Sequence, residues 1–139
     1  WPELKIKRCR WTRETEAAEI AAGDIGVSWL PDHVWSHGKC GLKVLQYMAT
    51  GLPVVANPIA MHQQLVQHDR TGMLAHDTEG WVAGIKRLSE NPSLRQEMGA
   101  RGREIVQRDY SVSRWSSTLV DILDRVAEDT ASPALRRAA

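Results

Sequence analysis

The sequence predicts an α/β domain in which helices flank a parallel sheet. Residues 53–56 form a short apolar run of the length expected for a buried strand. An amphipathic helical pattern immediately precedes this run, and a second apolar segment, residues 24–30, precedes the helix. Strands that alternate with helices favour a parallel sheet with its helices on the two faces.

Composition excludes several classes of protein. The 139 residues are enough for one domain with its own core. The net charge of +1 gives no general reason to expect nucleic-acid binding, and no apolar run approaches the length of a membrane span. Cys9 and Cys40 are too few for a disulfide framework and lack a metal-binding spacing, so we expect a reduced, cytoplasmic protein. Without an initiator methionine or signal segment, we expect a piece of a larger protein.

The chain before the central helix predicts three elements. Residues 4–7 alternate apolar and basic side chains, which is typical of a strand. Residues 12–23 predict a helix capped by Thr12 or Thr15 and ended by Gly23. Residues 24–30 then predict a strand, and residues 31–38 the loop that follows it.

The central helix has an apolar side and a polar side. Gly51 and Pro53 end it. Spacings of three and four predict that its buried stripe consists of Leu42, Leu45, Met48 and Ala49. The opposite, polar face carries Lys39, Lys43, Gln46 and Thr50.

Two lysines at the start of a helix are unusual, because the free amides there already carry partial positive charge. A bound anion such as a diphosphate would make Lys39 and Lys43 favourable, and Gly38 and Gly41 would let it approach the backbone. Solvated lysines are the simpler alternative. The spacing alone leaves both interpretations open.

The rest of the chain predicts one more strand and several helices. Residues 57–60 read as a loop, 61–66 as one or two helical turns and 72–74 as the last strand. Helices are expected from Thr78, with Asp77 or Thr78 as cap, and from Pro92. In the second of these, Leu94, Met98, Ile105 and Val106 are expected to pack inward, and Gly99 and Gly102 to allow the close approach of a neighbour. The arginines of that helix, Arg95, Arg101, Arg103 and Arg108, are expected to be solvated.

A last helix is predicted from about Ser113. Its apolar stripe is the clearest of the chain and consists of Trp115, Leu119, Ile122, Leu123 and Val126. Residues 130–139 are predicted to be a disordered tail.

His33 and His37 have the spacing of a metal pair on a helix, but Pro31 and Gly38 argue against a helix there. No metal site is therefore predicted. Trp35 is expected to pin its own loop to the core, with stacking on a ligand as the alternative.

The run GLKVLQYMATGLPVVA resembles the nucleotide-sugar-binding segment of retaining GT-B glycosyltransferases of the family 4 type, which typically reads EGFGLPxLEAMAxGxPVV. The positions that match are Gly41, Leu42, Met48, Gly51 and Pro53. The segments at residues 24–26 and 68–74 extend the resemblance. It implies that residues 1–129 form the second half of the Rossmann-like C-terminal domain of a GT-B enzyme, without the preceding strands and the N-terminal domain.

The resemblance implies a donor-binding set that consists of Gly38, Lys39, Cys40, Gly41, Leu42, Lys43 and Gln46. The family's two glutamates, one for the donor sugar and one for the ribose hydroxyls, fall on Gly38 and Gln46. Gly38 offers only backbone. Gln46 can still hydrogen-bond a ribose, without the strength of a charged acceptor.

The implied activity is transfer of a sugar from a nucleoside diphosphate sugar to an acceptor hydroxyl with retention. It requires neither metal nor cofactor. The resemblance places the acceptor site and catalytic residues outside this chain, in the N-terminal domain, through which a peripheral membrane contact would also be made. The chain alone is therefore expected to be inactive, with no nucleic-acid partner. One alternative is a non-catalytic nucleotide-sugar-binding or interaction module that has lost the carboxylate pair; another is an interaction domain with no nucleotide site.

Overall fold

Three parallel strands form one sheet whose order follows the chain: β1 (Gly26–Ser28), β2 (Val54–Ala56) and β3 (Gly72–Leu74). Val27 pairs with Val55, and Val55 pairs with Met73. The computed structural model describes residue 3 and residues 5–131, with side chains through residue 128. The predicted parallel α/β architecture is confirmed.

The chain divides into two compact units, one ending at Glu104 and the other starting at Ile105. The helices of the first unit are α1 (Glu16–Ala21), α2 (Val34–His37), α3 (Leu42–Ala49), α4 (His62–Leu65), α5 (Thr78–Glu90) and α6 (Pro92–Ile105). The second unit contains a π-helical turn (Val106–Tyr110) and α7 (Val112–Ala131). Within the described part of the chain, no helix has the length and apolar character needed to cross a membrane.

The core of the first unit lies between the sheet and the helices that follow it. Its buried members are Val55, Met73, Ala75, Leu88 and Met98. Half-buried Leu94 and Trp81 pack against this cluster. The central strand β2 is buried along its whole length, as expected for a parallel strand covered on both faces.

The C-terminus of α3 is closed by hydrogen bonds around Gly51, whose φ is +80°. The amide of Gly51 donates to the carbonyl of Met48, and the amide of Leu52 donates to the carbonyl of Tyr47. This is the Schellman arrangement, in which a glycine takes the left-handed conformation just after the helix. The predicted end of the helix is confirmed.

The predicted buried face of α3 is only partly correct. Val44 and Met48, four residues apart, are fully buried. Leu42 is 59% exposed and Ala49 is also exposed. The helix turns its Val44–Met48 line toward the strands because only one narrow stripe of so short a helix can reach them.

Two glycines of α6 allow a close approach to the end of α3, as predicted. A Cβ atom on Gly99 would lie 1.8 Å from the carbonyl oxygen of Gly51. A Cβ atom on Gly102 would lie 3.4 Å from Cγ of Met48, an ordinary contact. Backbone therefore packs directly on backbone at Gly99.

Two predictions near the N-terminus have different outcomes. Residues 5–7 are not a strand, and residue 4 lies outside the described residues. Residues 5–7 pair with none of the three described strands, and alternation alone does not make a strand without a paired neighbour. The predicted helix is present as α1, with Thr15 at its N-cap position but without a hydrogen bond from that side chain.

Arg95 is not solvated, contrary to the prediction. Its side chain is only 20% exposed, and Nη1 donates to the carbonyl oxygens of Leu88 and Ser89 at 2.7 and 3.0 Å. Nη2 lies 3.2 Å from Oδ1 of Asp24. The guanidinium thus satisfies carbonyls left free at the end of α5.

The second unit is dominated by α7. Its predicted apolar stripe is present, with Trp115, Leu119, Ile122, Leu123 and Val126 all exposed. Nε1 of Trp115 donates to the carbonyl of Asp109 at 2.7 Å. The predicted boundary between residues 129 and 130 falls inside α7, and residues 132–139 of the predicted tail lie outside the described residues.

Candidate functional site

A cavity of about 520 Å³ lies where β1 ends and α3 begins. It is lined by Val27, Ser28, Trp29, Leu30, Gly38, Lys39, Cys40, Gly41, Leu42, Lys43 and His62. The carboxyl ends of parallel strands are where open α/β sheets bind their ligands. The cavity is therefore the candidate functional site.

Six of the seven predicted donor-binding residues line this cavity; Gln46 does not. The Gln46 side chain is half-buried, and its Nε2 donates to Oε1 of Glu16 on α1 at 3.0 Å. The structure therefore separates Gln46 from the rest of the set. The binding role of all seven residues stays a prediction.

Gly41 allows the loop before α3 to lie against α4. Its φ is +71°, the left-handed conformation that favours glycine, and it occupies the N-cap position of α3. A Cβ atom here would lie 2.6 Å from Cδ1 of Leu65 and 3.2 Å from Cβ of Met61. Gly41 thus fixes both the direction of the loop and the point at which the helix starts.

The first turn of α3 has amides available for a ligand. The N-cap position carries no side chain that caps the helix, and the amides of residues 42–44 find no acceptor within the described chain. Free amides at a helix start carry partial positive charge and bind anions. This end of the cavity is suited to a phosphate group.

The two lysines of the loop add positive charge at the same end. Both Lys39 and Lys43 are exposed and line the cavity. The ion pairs of lysine in the described residues are those of Lys7 with Glu19 and Lys86 with Glu90, so neither loop lysine is neutralised there. Cys40, between them, is also exposed.

His62 is a buried member of the cavity that sequence reasoning missed. Its Nδ1 lies 3.1 Å from the carbonyl oxygen of Asn57, and its Nε2 lies 3.1 Å from Oγ of Ser28. A carbonyl only accepts, so Nδ1 carries the hydrogen. Burial lowers the pKa of His62, while the hydrogen bond to Asn57 acts in the opposite direction. The neutral ring therefore accepts the Ser28 hydroxyl hydrogen at Nε2.

Asn57 connects the ends of β1 and β2 beside the cavity. Its Oδ1 accepts from the amide of Leu30 at 2.9 Å, and its Nδ2 donates to the carbonyl of Leu30 at 2.6 Å. Together with the two bonds of His62, these contacts fix the strand ends from which the cavity loop departs.

The loop between β1 and α3 contains a helical turn, contrary to the prediction. In α2, the amide of Trp35 donates to Nδ1 of His33, which acts as the N-cap. Nε2 of His37 lies 2.8 Å from Oδ1 of Asp32. Among the described residues, no group of three or more histidine, cysteine or acidic side chains is placed to hold a metal.

The tryptophans near the cavity differ from expectation. Trp35 is 77% exposed, so it does not pin its loop to the core. Trp29 instead lines the cavity and is 64% exposed. The sequence offered no sign of this, because Trp29 lies within a segment predicted to be an ordinary strand.

Acid should destabilise the first unit through His62. In the unfolded chain the ring titrates near its usual pKa of about 6.5, whereas burial lowers the pKa in the folded state. Below about pH 6.5 the unfolded chain therefore binds more protons, and the free energy of unfolding should fall by up to about 1.4 kcal/mol per pH unit. The fall should end below the pKa of the folded state. Urea unfolding between about pH 5 and pH 7.5 measures this.

The control for this titration is His62→Gln, which keeps an amide donor for the Asn57 carbonyl but has no titrating ring. It should lose most of this pH dependence. An unchanged slope in His62→Gln would assign the acid sensitivity to other groups.

Comparison with known proteins identifies the family. A sequence profile described as glycosyl transferase-like matches residues 1–121. The chain belongs to the glycosyl transferase-like family. Relatives of this glycosyl transferase-like chain include a D-inositol 3-phosphate glycosyltransferase of Salinispora tropica, which is 33% identical over 93 residues. That match covers 66% of this chain and 18% of the relative.

The chain is also similar to a second relative in sequence and to a solved structure in fold. An N-acetyl-alpha-D-glucosaminyl L-malate synthase of Bacillus anthracis is 30% identical over 89 residues, covering 60% of this glycosyl transferase-like chain and 23% of the relative. The solved structure of a sucrose-phosphate synthase from Thermosynechococcus elongatus superposes with a TM-score of 0.67 at 21% identity. That superposition covers 84% of this chain and 28% of the synthase, and it shows that the fold is that of a GT-B Rossmann-like domain. The chain spans about a fifth of the length of the curated relatives it matches.

Proposed function

We propose that this chain forms the diphosphate-binding part of the donor site of a glycosyltransferase. The whole enzyme would transfer a sugar from a nucleoside diphosphate sugar to an acceptor hydroxyl with retention at the anomeric carbon. The observation that carries the proposal is the convergence of free amides at the start of α3 with Lys39 and Lys43 in one cavity. Membership of the glycosyl transferase-like family supports it.

The chemistry suits this arrangement. When the glycosidic bond breaks, negative charge develops on the leaving diphosphate. Fixed amide dipoles and ammonium groups stabilise that charge more in the transition state than in the bound donor. We assign no metal or cofactor to the described residues. At this site the donor is bound without either.

The acceptor site and the catalytic residues would lie in a second, N-terminal GT-B domain outside this chain. The chain alone would then bind a nucleoside diphosphate without turnover. Retention is tested on the full-length protein by determining the anomeric configuration of the product by NMR. An inverted product would contradict the retaining assignment.

A cytoplasmic location and a peripheral membrane contact through the other domain both stay predictions.

Removing both lysines of the loop should weaken diphosphate binding. The double variant Lys39→Ala, Lys43→Ala is titrated with UDP, ADP and GDP by calorimetry, beside the unmodified chain. Hydrogen bonds to charged groups contribute about 1.5–3 kcal/mol each, so we expect at least a tenfold loss of affinity for the nucleotide that binds.

The matched control removes two lysines that do not line the cavity, as Lys5→Ala, Lys86→Ala. Both are exposed, and the control changes the net charge by the same amount. It should bind like the unmodified chain. Equal affinity in the loop variant and the control would refute the proposed diphosphate site.

A non-catalytic binding module is the second candidate, and the position of Gln46 favours it. The family's carboxylates are replaced by Gly38 and Gln46, and Gln46 is held by Glu16 away from the cavity. Incubating the full-length protein with a nucleoside diphosphate sugar separates the two candidates. Transfer or hydrolysis of the donor supports the enzyme; binding without either supports the module.

A further inference from the structure

The cavity has a second polar feature besides its cationic end, formed by Ser28 and His62. Both residues line the cavity, and both are nearly buried, with 6% and 1% of their surfaces exposed. The other side chains that line it from β1 and the residues just after it are apolar or aromatic: Val27, Trp29 and Leu30. A buried polar pair in such surroundings is costly unless its hydrogen-bonding groups are satisfied.

Hydrogen bonding fixes what this pair offers. Nδ1 of His62 donates to the carbonyl of Asn57, so Nε2 is left as an acceptor. The hydroxyl of Ser28 is 3.1 Å from Nε2 and commits its single hydrogen there. The serine oxygen then retains only lone pairs for a further partner.

We propose that Ser28 accepts a hydrogen bond from a neutral O–H or N–H group of the bound sugar nucleotide, and that His62 is the positioning residue that fixes the serine hydroxyl as an acceptor. This inference rests on the proposed function of the cavity. It divides the cavity by chemistry. Phosphate oxygens, which only accept hydrogen bonds, bind the amides and the lysines. A group that donates a hydrogen bond binds Ser28.

The hydrogen bonds around the pair keep the hydrogen of the Ser28 hydroxyl directed at Nε2 of His62. His62 is held by Asn57, which in turn holds both backbone groups of Leu30, two residues after Ser28. The serine therefore cannot reorient its hydrogen toward a ligand without breaking a buried hydrogen bond. A site built to pair with a hydroxyl rejects analogues that lack one more strongly than an apolar pocket could.

The group that donates the hydrogen bond to Ser28 can belong to the nucleoside or to the transferred sugar. Three kinds of probe distinguish these two possibilities. Pyrophosphate carries neither, UDP carries the nucleoside, and UDP-glucose carries both; ADP and GDP with their glucose conjugates replace the uridine series where the base requires it. Calorimetry compares each probe on the unmodified chain and on Ser28→Ala. The control is Ser93→Ala, an exposed serine that does not line the cavity.

Ser28→Ala should bind pyrophosphate like the unmodified chain and lose about tenfold in affinity for the probe that carries the donor group, the effect of one lost hydrogen bond. A loss already present with UDP assigns the group to the nucleoside, and a loss confined to UDP-glucose assigns it to the sugar. Unchanged affinity for all probes overturns the inference and leaves the diphosphate site intact. Failure of the unmodified chain to bind any probe overturns both.

A measurement on the unmodified chain makes the test independent of how well Ser28→Ala folds. Two-bond ¹H–¹⁵N correlation spectra report which ring nitrogen of His62 carries the hydrogen. We expect the Nδ1–H form both before and after addition of UDP-glucose, with the Ser28 resonances shifted by the ligand. An Nε2–H ring would leave the serine hydrogen free to donate and would contradict the inference.

Discussion

Gly99→Ala should destabilise the first unit by about 3 kcal/mol or more, because the new methyl group has no room. Its Cβ would lie 1.8 Å from the carbonyl oxygen and 2.7 Å from the carbonyl carbon of Gly51. These are backbone atoms held by the end of α3, so no side chain can move aside to relieve the contact. Urea unfolding followed by circular dichroism measures the loss as a lower midpoint.

Gly102→Ala is the matched control, one turn further along the same helix. Its Cβ would meet Cγ, Cβ and Cα of Met48, at 3.4, 3.5 and 3.8 Å, which are ordinary contacts. Alanine is favoured over glycine inside a helix by about 1 kcal/mol, so this variant should be neutral or slightly stabilised. Equal destabilisation by the two variants would show that a general loosening of α6, and not the contact with Gly51, is responsible.

Gly41→Ala should reduce both stability and diphosphate affinity. The left-handed conformation at φ +71° costs alanine about 1–2 kcal/mol, and the contact with the buried Leu65 adds to this. Relief of the strain would turn the loop and move the amides at the start of α3. We expect a loss of about 2 kcal/mol in the free energy of unfolding and about tenfold in affinity for the nucleoside diphosphate that binds.

Gly38→Ala, in the same loop, is the comparison. Gly38 has φ −84°, and the nearest atom to a Cβ there is the carbonyl oxygen of Trp35, at 3.7 Å. Its free energy of unfolding should therefore change by less than about 0.5 kcal/mol. If both variants were equally stable, the left-handed turn at Gly41 would not be a structural requirement.

Local patterns predicted much of the first unit. A few neighbouring residues were enough to predict three features: the end of α3 at Gly51 and Pro53, the buried run of β2, and the capping residue Asp77 of α5. Asp77 accepts from the amide of Gly80, as a helix cap does. Hydrophobic spacing also located α7 and its stripe. These features depend on contacts within a few residues of one another, and sequence periodicity reports such contacts directly.

Contacts between distant residues were not predictable in this way. Ser28 and His62 are 34 residues apart, and neither stands in a recognisable motif. Arg95 and Asp24 are 71 residues apart, and only the packing of α6 shows that the guanidinium reaches the end of α5. A single sequence gives the chemistry of such residues but not their partners.

The candidate site also shows that the sequence predicts positions better than side-chain partners. Matching a family segment identified the loop from Gly38 to Lys43, and all six of its residues line one cavity. The same match proposed Gln46, which points to α1 instead. A match to the family segment predicts where a residue lies along the helix. It does not predict which neighbour forms a hydrogen bond with the side chain, and for Gln46 that neighbour is Glu16.

The order of the strands in the sheet also bears on how the chain folds. Each strand lies beside the one that precedes it in sequence, so no strand has to be inserted between two others that already pair. The three described strands can therefore pair in the order in which they occur along the chain. Each parallel pairing still closes a loop that contains at least one helix, with 28 residues from Gly26 to Val54 and 18 from Val54 to Gly72, so we expect the sheet to form more slowly than one built of hairpins.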